Sequence, residues 1–220
     1  MEIVKNKEPK AYAKRKAESR WNFDFLSTKI NSDFIKVPFA NIKGIPETKL
    51  KYVSDLKIHD EAKEQQEVGD KTAADRWVGS RVDNLGIYPE LEKVAGVFKL
   101  KNTRAIIHIQ NPGQMHMLHL DINYGQGKAY LHLTREEQKQ KVARMFVMLD
   151  YLHPGQIVTL GNVDWTRWKK GDVSYFSWFD IPHGTANFGH HPRPILLVSG
   201  ERTPEFDEIL NHGNIKQLKI

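Results

Sequence analysis

From about residue 100 onward the chain is a succession of short apolar runs of strand length, each bounded by Gly, Pro, Asn or Asp. Runs of this kind, repeated at short intervals, are typical of β-sandwiches and jelly rolls. The strands predicted from this pattern are Arg104–Gln110, Gln114–Asp121, Lys128–Leu133, Val142–Asp150, Gly155–Asn162, Asp172–Phe179, His183–Gly189 and Pro194–Gly200. A helix start is also expected where Thr134 and Glu137 have capping-box spacing.

The first 100 residues have a different texture, in which helical patterns dominate. Helices are predicted at Pro9–Trp21, Thr72–Val82 and Pro89–Leu100, and an exposed helix or loop at Lys57–Lys71. Phe34–Ile42 is interpreted as an edge strand because it contains a proline. The fold class is therefore expected to be mainly β with N-terminal helices (α+β).

No repeat or low-complexity linker divides the chain, so we expect a single domain over residues 1–220. In this interpretation helical elements (1–100) pack on a jelly-roll core (104–201), and a C-terminal helix or tail follows (202–220).

Composition excludes several chemistries. The sequence has no cysteine, so any metal must be held by histidine, carboxylate or backbone oxygen. The net charge of +6 is scattered along the chain, which leaves nucleic acid as a disfavoured partner. No apolar run approaches the roughly 20 residues of a membrane span, and no secretory signal is recognisable, so a cytoplasmic protein without membrane association is expected.

His119 and Asp121 lie two residues apart in the strand-like run MHMLHLDIN. Successive side chains of a strand alternate faces, so this parity predicts that His119 and Asp121 share one face and that His116 lies on the other, as a bystander. An imidazole and a carboxylate side by side can ligate one metal ion. A third ligand is expected from a distant strand, and His183 is the candidate.

Arg193 follows His183 by ten residues and directly precedes the last apolar run. Arginine is almost never buried without a partner, whereas its fork suits a carboxylate. Two hypotheses stay open for it, a bound ligand carboxylate or a structural ion pair with Asp180 or Glu201.

Together these residues resemble the HxD…H…R signature of the iron(II)- and 2-oxoglutarate-dependent oxygenases, which share a double-stranded β-helix, or jelly roll. The separation between Asp121 and His183, 183 − 121 = 62 residues, suits that family. The run HGTANFGHHPR is similar to the distal segment of the phytanoyl-CoA hydroxylase branch. The resemblance covers residues 104–201, and it departs from the family where many members have a serine and this chain has Ile195.

The resemblance implies that His119, Asp121 and His183 hold Fe(II) and act in catalysis, and that Arg193 binds the C5 carboxylate of the co-substrate 2-oxoglutarate. The implied reaction consumes molecular oxygen, releases succinate and CO2, and hydroxylates a C–H bond of an unidentified small molecule or peptide. Further candidates at the co-substrate are Arg144, or a hydroxyl on a neighbouring strand, and Asn187.

Substrate contacts are less constrained by the sequence. Trp178 is the candidate substrate residue, and three other aromatic side chains could line the same pocket or equally form core: Trp165, Trp168 and Phe179. The charged loop Tyr124–Lys141 is a candidate lid.

Two other functions stay open. The spacing of Gly113 and His119, and of His183 and Asn187, resembles parts of the two cupin motifs, which would make the chain an isomerase or a dioxygenase without 2-oxoglutarate. Cupins, however, usually have histidine where this chain has Asp121. The second alternative is a jelly-roll binding module without catalysis.

Overall fold

A computed structural model describes residues 35–47, 79–82, 88–119, 130, 132–161, 163–212 and 215–220. The predicted helix Pro9–Trp21, the predicted helix or loop Lys57–Lys71 and Asp121 lie outside these residues.

Eleven strands and three helices form the described part of the chain. The strands are β1 (Ile35–Lys43), β2 (Gly79–Val82), β3 (Lys101–Gln110), β4 (Met115–His119), β5 (Val142–Met148), β6 (Gln156–Leu160), β7 (Val163–Trp165), β8 (Asp172–Phe176), β9 (His183–Asn187), β10 (Arg193–Glu201) and β11 (Lys216–Lys219). The helices are α1 (Pro89–Gly96), α2 (Arg135–Lys141) and α3 (Pro204–Leu210).

These strands form two sheets. The larger has the order β11-β1-β8-β5-β10-β3-β2 and the smaller the order β4-β9-β6-β7. From β3 to β10 the chain passes back and forth between them, and only the β6–β7 hairpin stays within one sheet. Two facing sheets built in this way are a jelly roll, so the predicted fold class is confirmed.

The large sheet has a core on each face. Its outer face packs against α1 and α3 through residues such as Leu91, Phe98 and Phe206. Its inner face packs against the small sheet in a second cluster that contains Phe146, Phe176 and four aromatic residues discussed below. Along strands of the large sheet, residues that face the small sheet therefore alternate with residues that face the helices.

Local sequence signals correctly predicted where several helices begin. Helix α1 begins at Pro89 as predicted, and α2 has the predicted capping box, in which the Thr134 hydroxyl accepts from the Glu137 amide and the Glu137 carboxylate accepts from the Thr134 amide. The hydrogen bond from Lys141, followed by those that the Thr134 amide and hydroxyl donate to the carboxylate, lowers the pKa of Glu137 to about 2.

Tertiary contacts overturned three local predictions. Strand β1 is internal, between β11 and β8, because Pro38 falls in an irregularity between Lys36 and Ala40 where the ladder is interrupted. Residues 79–82 of the predicted helix Thr72–Val82 pair with β3 as a strand. The described residues of the predicted strand Lys128–Leu133 form turns instead.

The last of these corrections has a clear cause. The carbonyl oxygens of Tyr130 and Leu133 both accept from the side-chain amide of Gln138, which lies on α2. The Tyr130 hydroxyl donates to the carbonyl of Asn102, at 3.1 Å. The described residues of this segment therefore precede helix α2 and are hydrogen-bonded to it. Strands β7 and β11 were not predicted from the sequence.

Among the described residues, no helix combines the length and the apolar composition that crossing a membrane would require.

Candidate metal and carboxylate site

His183 is held rigidly at the start of β9. Its side chain is buried, and its ring packs 4.8 Å from the ring centre of Phe176 and 6.5 Å from that of Phe146. The Nδ1 atom lies 3.1 Å from the carbonyl oxygen of Ile181, a contact in which Nδ1–H is the donor. This hydrogen bond selects the tautomer whose Nε2 carries the lone pair, and metal-binding histidines are commonly oriented by such a bond.

His119 is the register partner of His183 in the antiparallel pair β4 and β9. Directly paired residues of an antiparallel ladder lie on the same face of the sheet, with Cβ atoms about 4.5–5.5 Å apart. Two of the three predicted metal ligands thus occupy paired register positions on neighbouring strands. Asp121 follows two residues later, beyond the described part of the chain.

A register irregularity changes the interpretation of His116. In β4 His116 pairs with Thr185, while His119 pairs with His183, and the ladder shifts between the two. Thr185 and His183 share a face, so His116 and His119 occupy register positions on that same face. The parity prediction that placed His116 on the opposite face is wrong, because it assumed an unbroken strand.

Within the described residues, no group of three or more histidine and acidic side chains converges as a metal site. That finding does not include Asp121, which the structure leaves undescribed, so the predicted triad stays a prediction.

Arg193, at the start of β10, points between the two sheets and is 4% exposed. Its Nη2 donates to Oε1 of Gln110 at 2.8 Å, its Nη1 approaches the carbonyl oxygen of Ile157 at 3.5 Å, and its Nε has no partner. Burial lowers the pKa of Arg193 to about 9. No carboxylate of the described residues forms an ion pair with it.

The two structural ion pairs considered for Arg193 are absent from the described residues. Asp180 instead accepts from Lys139 at 3.1 Å and from the Ser177 hydroxyl at 2.6 Å. Glu201 accepts from His132 at 2.9 Å and from Asn102 at 2.6 Å. The ion-pair hypothesis therefore has no support among the described residues, and the ligand carboxylate stays a prediction.

Gln110 connects Arg193 to the opposite sheet. Gln110 is the register partner of Arg193, and its Nε2 donates to the Thr185 hydroxyl at 3.0 Å and lies 3.4 Å from the Thr185 carbonyl oxygen. Thr185 is two residues beyond His183 on β9, so these contacts lead from the predicted metal ligand to the buried guanidinium. The sequence signal for Gln110 was weak, since a glutamine at a strand end is unremarkable.

Arg144, on β5, is buried on the same inward face of the large sheet, but it lies beside the other end of β10. Its register partner is Ser199, whereas Arg193 lies six residues earlier (199 − 193 = 6), or roughly 20 Å at the usual strand rise. The guanidinium carbon of Arg144 lies 4.1 Å from the ring centre of Trp178. Arg144 is therefore too distant to share one carboxylate with Arg193.

Asn187 has its hydrogen-bonding capacity committed to the fold. Its Nδ2 donates to the carbonyl oxygens of Gln110 and His191, at 2.9 and 2.8 Å, and its Oδ1 accepts from the Gly189 amide at 3.1 Å. These bonds hold the turn that leads to Arg193. Asn187 thus supports the site rather than facing a ligand.

The four aromatic side chains considered for a pocket are all at most 6% exposed and belong to the core between the sheets: Trp165, Trp168, Trp178 and Phe179. Trp178 stacks on Phe179 with ring centres 3.9 Å apart. This packing favours the core interpretation. Of the candidate lid, residues 135–141 are helix α2, and residues 124–129 lie outside the described chain.

Neither the comparison with protein-family models nor that with curated proteins gives a match. Among solved structures, a viral collagen prolyl hydroxylase from Paramecium bursaria Chlorella virus-1 is 12% identical with a TM-score of 0.42, over 57% of this chain and 80% of that one. A Pseudomonas putida prolyl-4-hydroxylase is 13% identical with a TM-score of 0.40, over 56% and 68%. A cupin 2 conserved barrel protein from Salinispora arenicola is 8% identical with a TM-score of 0.34, over 74% and 97%. Likenesses of this strength say nothing about activity.

Proposed function

We propose that this chain is an iron(II)- and 2-oxoglutarate-dependent oxygenase that hydroxylates a C–H bond of a small molecule or peptide and releases succinate and CO2. The observation that carries the proposal is Arg193, a buried guanidinium with no carboxylate partner in the described chain, on the inward face of the large sheet, whereas His183 lies on the inward face of the small sheet. An isolated buried charge is costly unless an anion compensates it. The distal carboxylate of a bound dicarboxylate provides that anion.

The residues present fit the metal that this activity requires. His119, Asp121 and His183 would hold iron(II), and two histidines with one carboxylate on one side of the ion are the ligand set of non-heme iron oxygenases. When bound, iron(II) with 2-oxoglutarate supplies the oxidising power for the attack on the substrate. The hydrogen bond from Nδ1 of His183 to Ile181 makes Nε2 the nitrogen that would ligate the metal.

The remaining residues orient the co-substrate and exclude water. Arg193 binds the far carboxylate and Thr185 lies one inward-facing position from His183, about 7 Å along β9. Phe146 and Phe176 pack against the His183 ring and keep bulk water from this side of the imidazole.

A spectroscopic experiment tests the proposal. Anaerobic addition of Fe(II) and 2-oxoglutarate should produce a weak visible charge-transfer band, and admission of air should then yield succinate slowly even without substrate. Arg193→Ala should bind iron as the parent does but need more 2-oxoglutarate to develop the band. Arg167→Ala, at an exposed arginine away from the site, is the matched control and should behave as the parent.

The alternative functions give different results. Metal binding without the band or succinate would favour a cupin-like metalloenzyme, and absence of any metal binding would favour a binding module. Undiminished metal binding by Asp121→Ala would contradict the ligand assignment itself.

A further inference from the structure

An open cleft of about 410 Å³ lies between the C-terminal end of α1 and the end of β11. Part of its lining is apolar, because it includes Leu218, which belongs to the core cluster beneath α1, and the partly buried Val97. Three lysines also line it, namely Lys93, Lys99 and Lys219, and among the described residues no acidic side chain does so. The cleft therefore combines apolar surface with positive charge.

The charge of these lysines is not compensated within the described part of the chain. All three side chains are exposed, and none of them forms an ion pair with a described residue. Lys99 also has a left-handed backbone, with φ 56°, and its carbonyl accepts from the Thr203 hydroxyl at 2.8 Å. Glycine or asparagine is the usual residue in this conformation after a helix, so a lysine stands here against the preference of the backbone.

Strand β11 borders the cleft and forms one edge of the large sheet. It pairs in parallel with β1, and among the described strands its other side has no partner. Such an edge can accept an extended segment of another chain through backbone hydrogen bonds. Lys216 and Lys219 lie on this strand and oppose pairing with a like-charged strand, including β11 of a second copy. An acidic strand meets no such repulsion.

We propose that β11 and the cleft form a docking surface for an extended acidic segment of a partner protein, which adds to the large sheet as a further edge strand. Acidic side chains of the segment pair with the lysines, and an apolar side chain occupies the cleft. The cleft lies on the helix side of the large sheet, whereas His183 packs between the two sheets. The inference is therefore independent of the proposed function.

Fluorescence anisotropy with labelled peptides of about eight residues, an ordinary strand length, tests the inference on the full chain. A peptide that alternates glutamate and valine should bind, and its affinity should fall as salt rises, because exposed ion pairs are screened. The same peptide with lysine in place of glutamate should bind at least about tenfold more weakly. A fully N-methylated glutamate peptide should lose about tenfold or more, because it has no backbone donors for strand pairing.

Two variants test the surface without damage to the fold. A Cβ added at Gly96 would meet nothing within 4 Å, so Gly96→Leu should extend into the cleft and weaken peptide binding about tenfold. Lys99→Gly removes a charge and suits the left-handed backbone, so binding should weaken by about threefold while the melting temperature equals or exceeds that of the parent. Arg167→Ala, at an exposed arginine between β7 and β8, is the control for loss of one positive charge and should bind as the parent does.

Each remaining outcome contradicts the proposal. If the parent does not bind the glutamate peptide, or binds the lysine peptide equally well, no acidic segment docks here. Undiminished binding of the N-methylated peptide, or of the glutamate peptide to Gly96→Leu, would show that strand addition at this cleft is wrong. Vesicles of phosphatidylserine are the third probe, and vesicle binding without peptide binding would identify a membrane-facing surface instead.

The same variants keep this inference separate from the oxygenase proposal. If the parent forms succinate from 2-oxoglutarate, Gly96→Leu should form it at the same rate, because the cleft lies outside the barrel interior. Loss of succinate formation in Gly96→Leu with peptide binding retained would show that the cleft serves the barrel site and would overturn the docking surface. Peptide binding by a parent that forms no succinate would leave the docking surface standing and the oxygenase proposal without support.

Discussion

His119 and His183 are paired, Cα to Cα, across the neighbouring antiparallel strands β4 and β9. The two positions are 64 residues apart in the chain (183 − 119 = 64), and only the sheet brings them together. A pair of imidazoles at such positions can take adjacent corners of one metal ion. His116 lies on the same face by register, which makes the choice of ligand on β4 testable.

We expect His119→Ala and His183→Ala each to lower iron(II) affinity by more than about 100-fold, since loss of even an outer partner of a metal ligand costs 10- to 100-fold. His116→Ala is the comparison variant and should retain iron affinity within about threefold. Anaerobic calorimetry, with Mn(II) as a stable substitute, measures all three. Equal losses in His116→Ala and His119→Ala would show that the ligand on β4 has been assigned wrongly.

Arg193→Met should separate binding from stability. The substitution removes a buried charge with no carboxylate partner in the described chain, so we expect the free energy of unfolding of the ligand-free protein to stay within about 1 kcal/mol of the parent or to rise. Affinity for 2-oxoglutarate should fall by at least about tenfold.

Denaturant unfolding and calorimetry measure the two effects of Arg193→Met. A large loss of stability would instead identify Arg193 as a structural residue. Arg193→Lys, which keeps the charge but not the fork, should recover only part of the affinity.

The affinity for dicarboxylates should depend on pH through Arg193. Burial lowers the pKa of this guanidinium from its ordinary value to about 9 in the ligand-free protein. Carboxylate binding requires the charged form, so affinity should be constant at neutral pH and fall as pH rises through about 9.

The same shift affects stability with the opposite sign. Between about pH 9 and the ordinary pKa of arginine, the unfolded chain binds more protons at this group than the folded chain, so its contribution to the free energy of unfolding rises with pH. Glutarate titrations from pH 7 to 10 test the binding part, with Arg193→Met as reference. A pH-independent glutarate affinity up to pH 10 would contradict it.

Gly189→Ala should disturb the predicted carboxylate site by moving the turn that precedes Arg193. A Cβ at Gly189 would meet the carbonyl oxygen of Pro154 at a distance that real side chains essentially never show, so the turn before Arg193 must move. We expect a loss of more than about 1 kcal/mol in the free energy of unfolding together with weaker 2-oxoglutarate binding.

Gly96→Ala, whose Cβ would meet nothing within 4 Å, is the control and should retain both properties. Thermal melting and calorimetry provide the measurements. Parent-like behaviour of Gly189→Ala would mean that the turn accommodates the methyl group without moving Arg193.

Much of the fold could be predicted because its signals are local. The strand predicted at Val142–Asp150, observed at Val142–Met148, and the capping box at Thr134 depend on neighbouring residues, and the structure confirms that both exist. The candidate site was predictable as a set of residue types at suitable spacing. Its missing members, Gln110 and Thr185, carry no local signal, because a glutamine and a threonine in strands are ordinary.

The sequence by itself determined the alternation of short strands, the absence of thiol chemistry and the order of His119, His183 and Arg193. Only the tertiary structure decided the register. Strand parity is a local rule that one irregularity reverses, which is why His116 changed face and why Pro38 could lie in an internal strand. Burial is likewise a property of the packed sheets, and it alone distinguishes Arg193 from an ordinary exposed arginine.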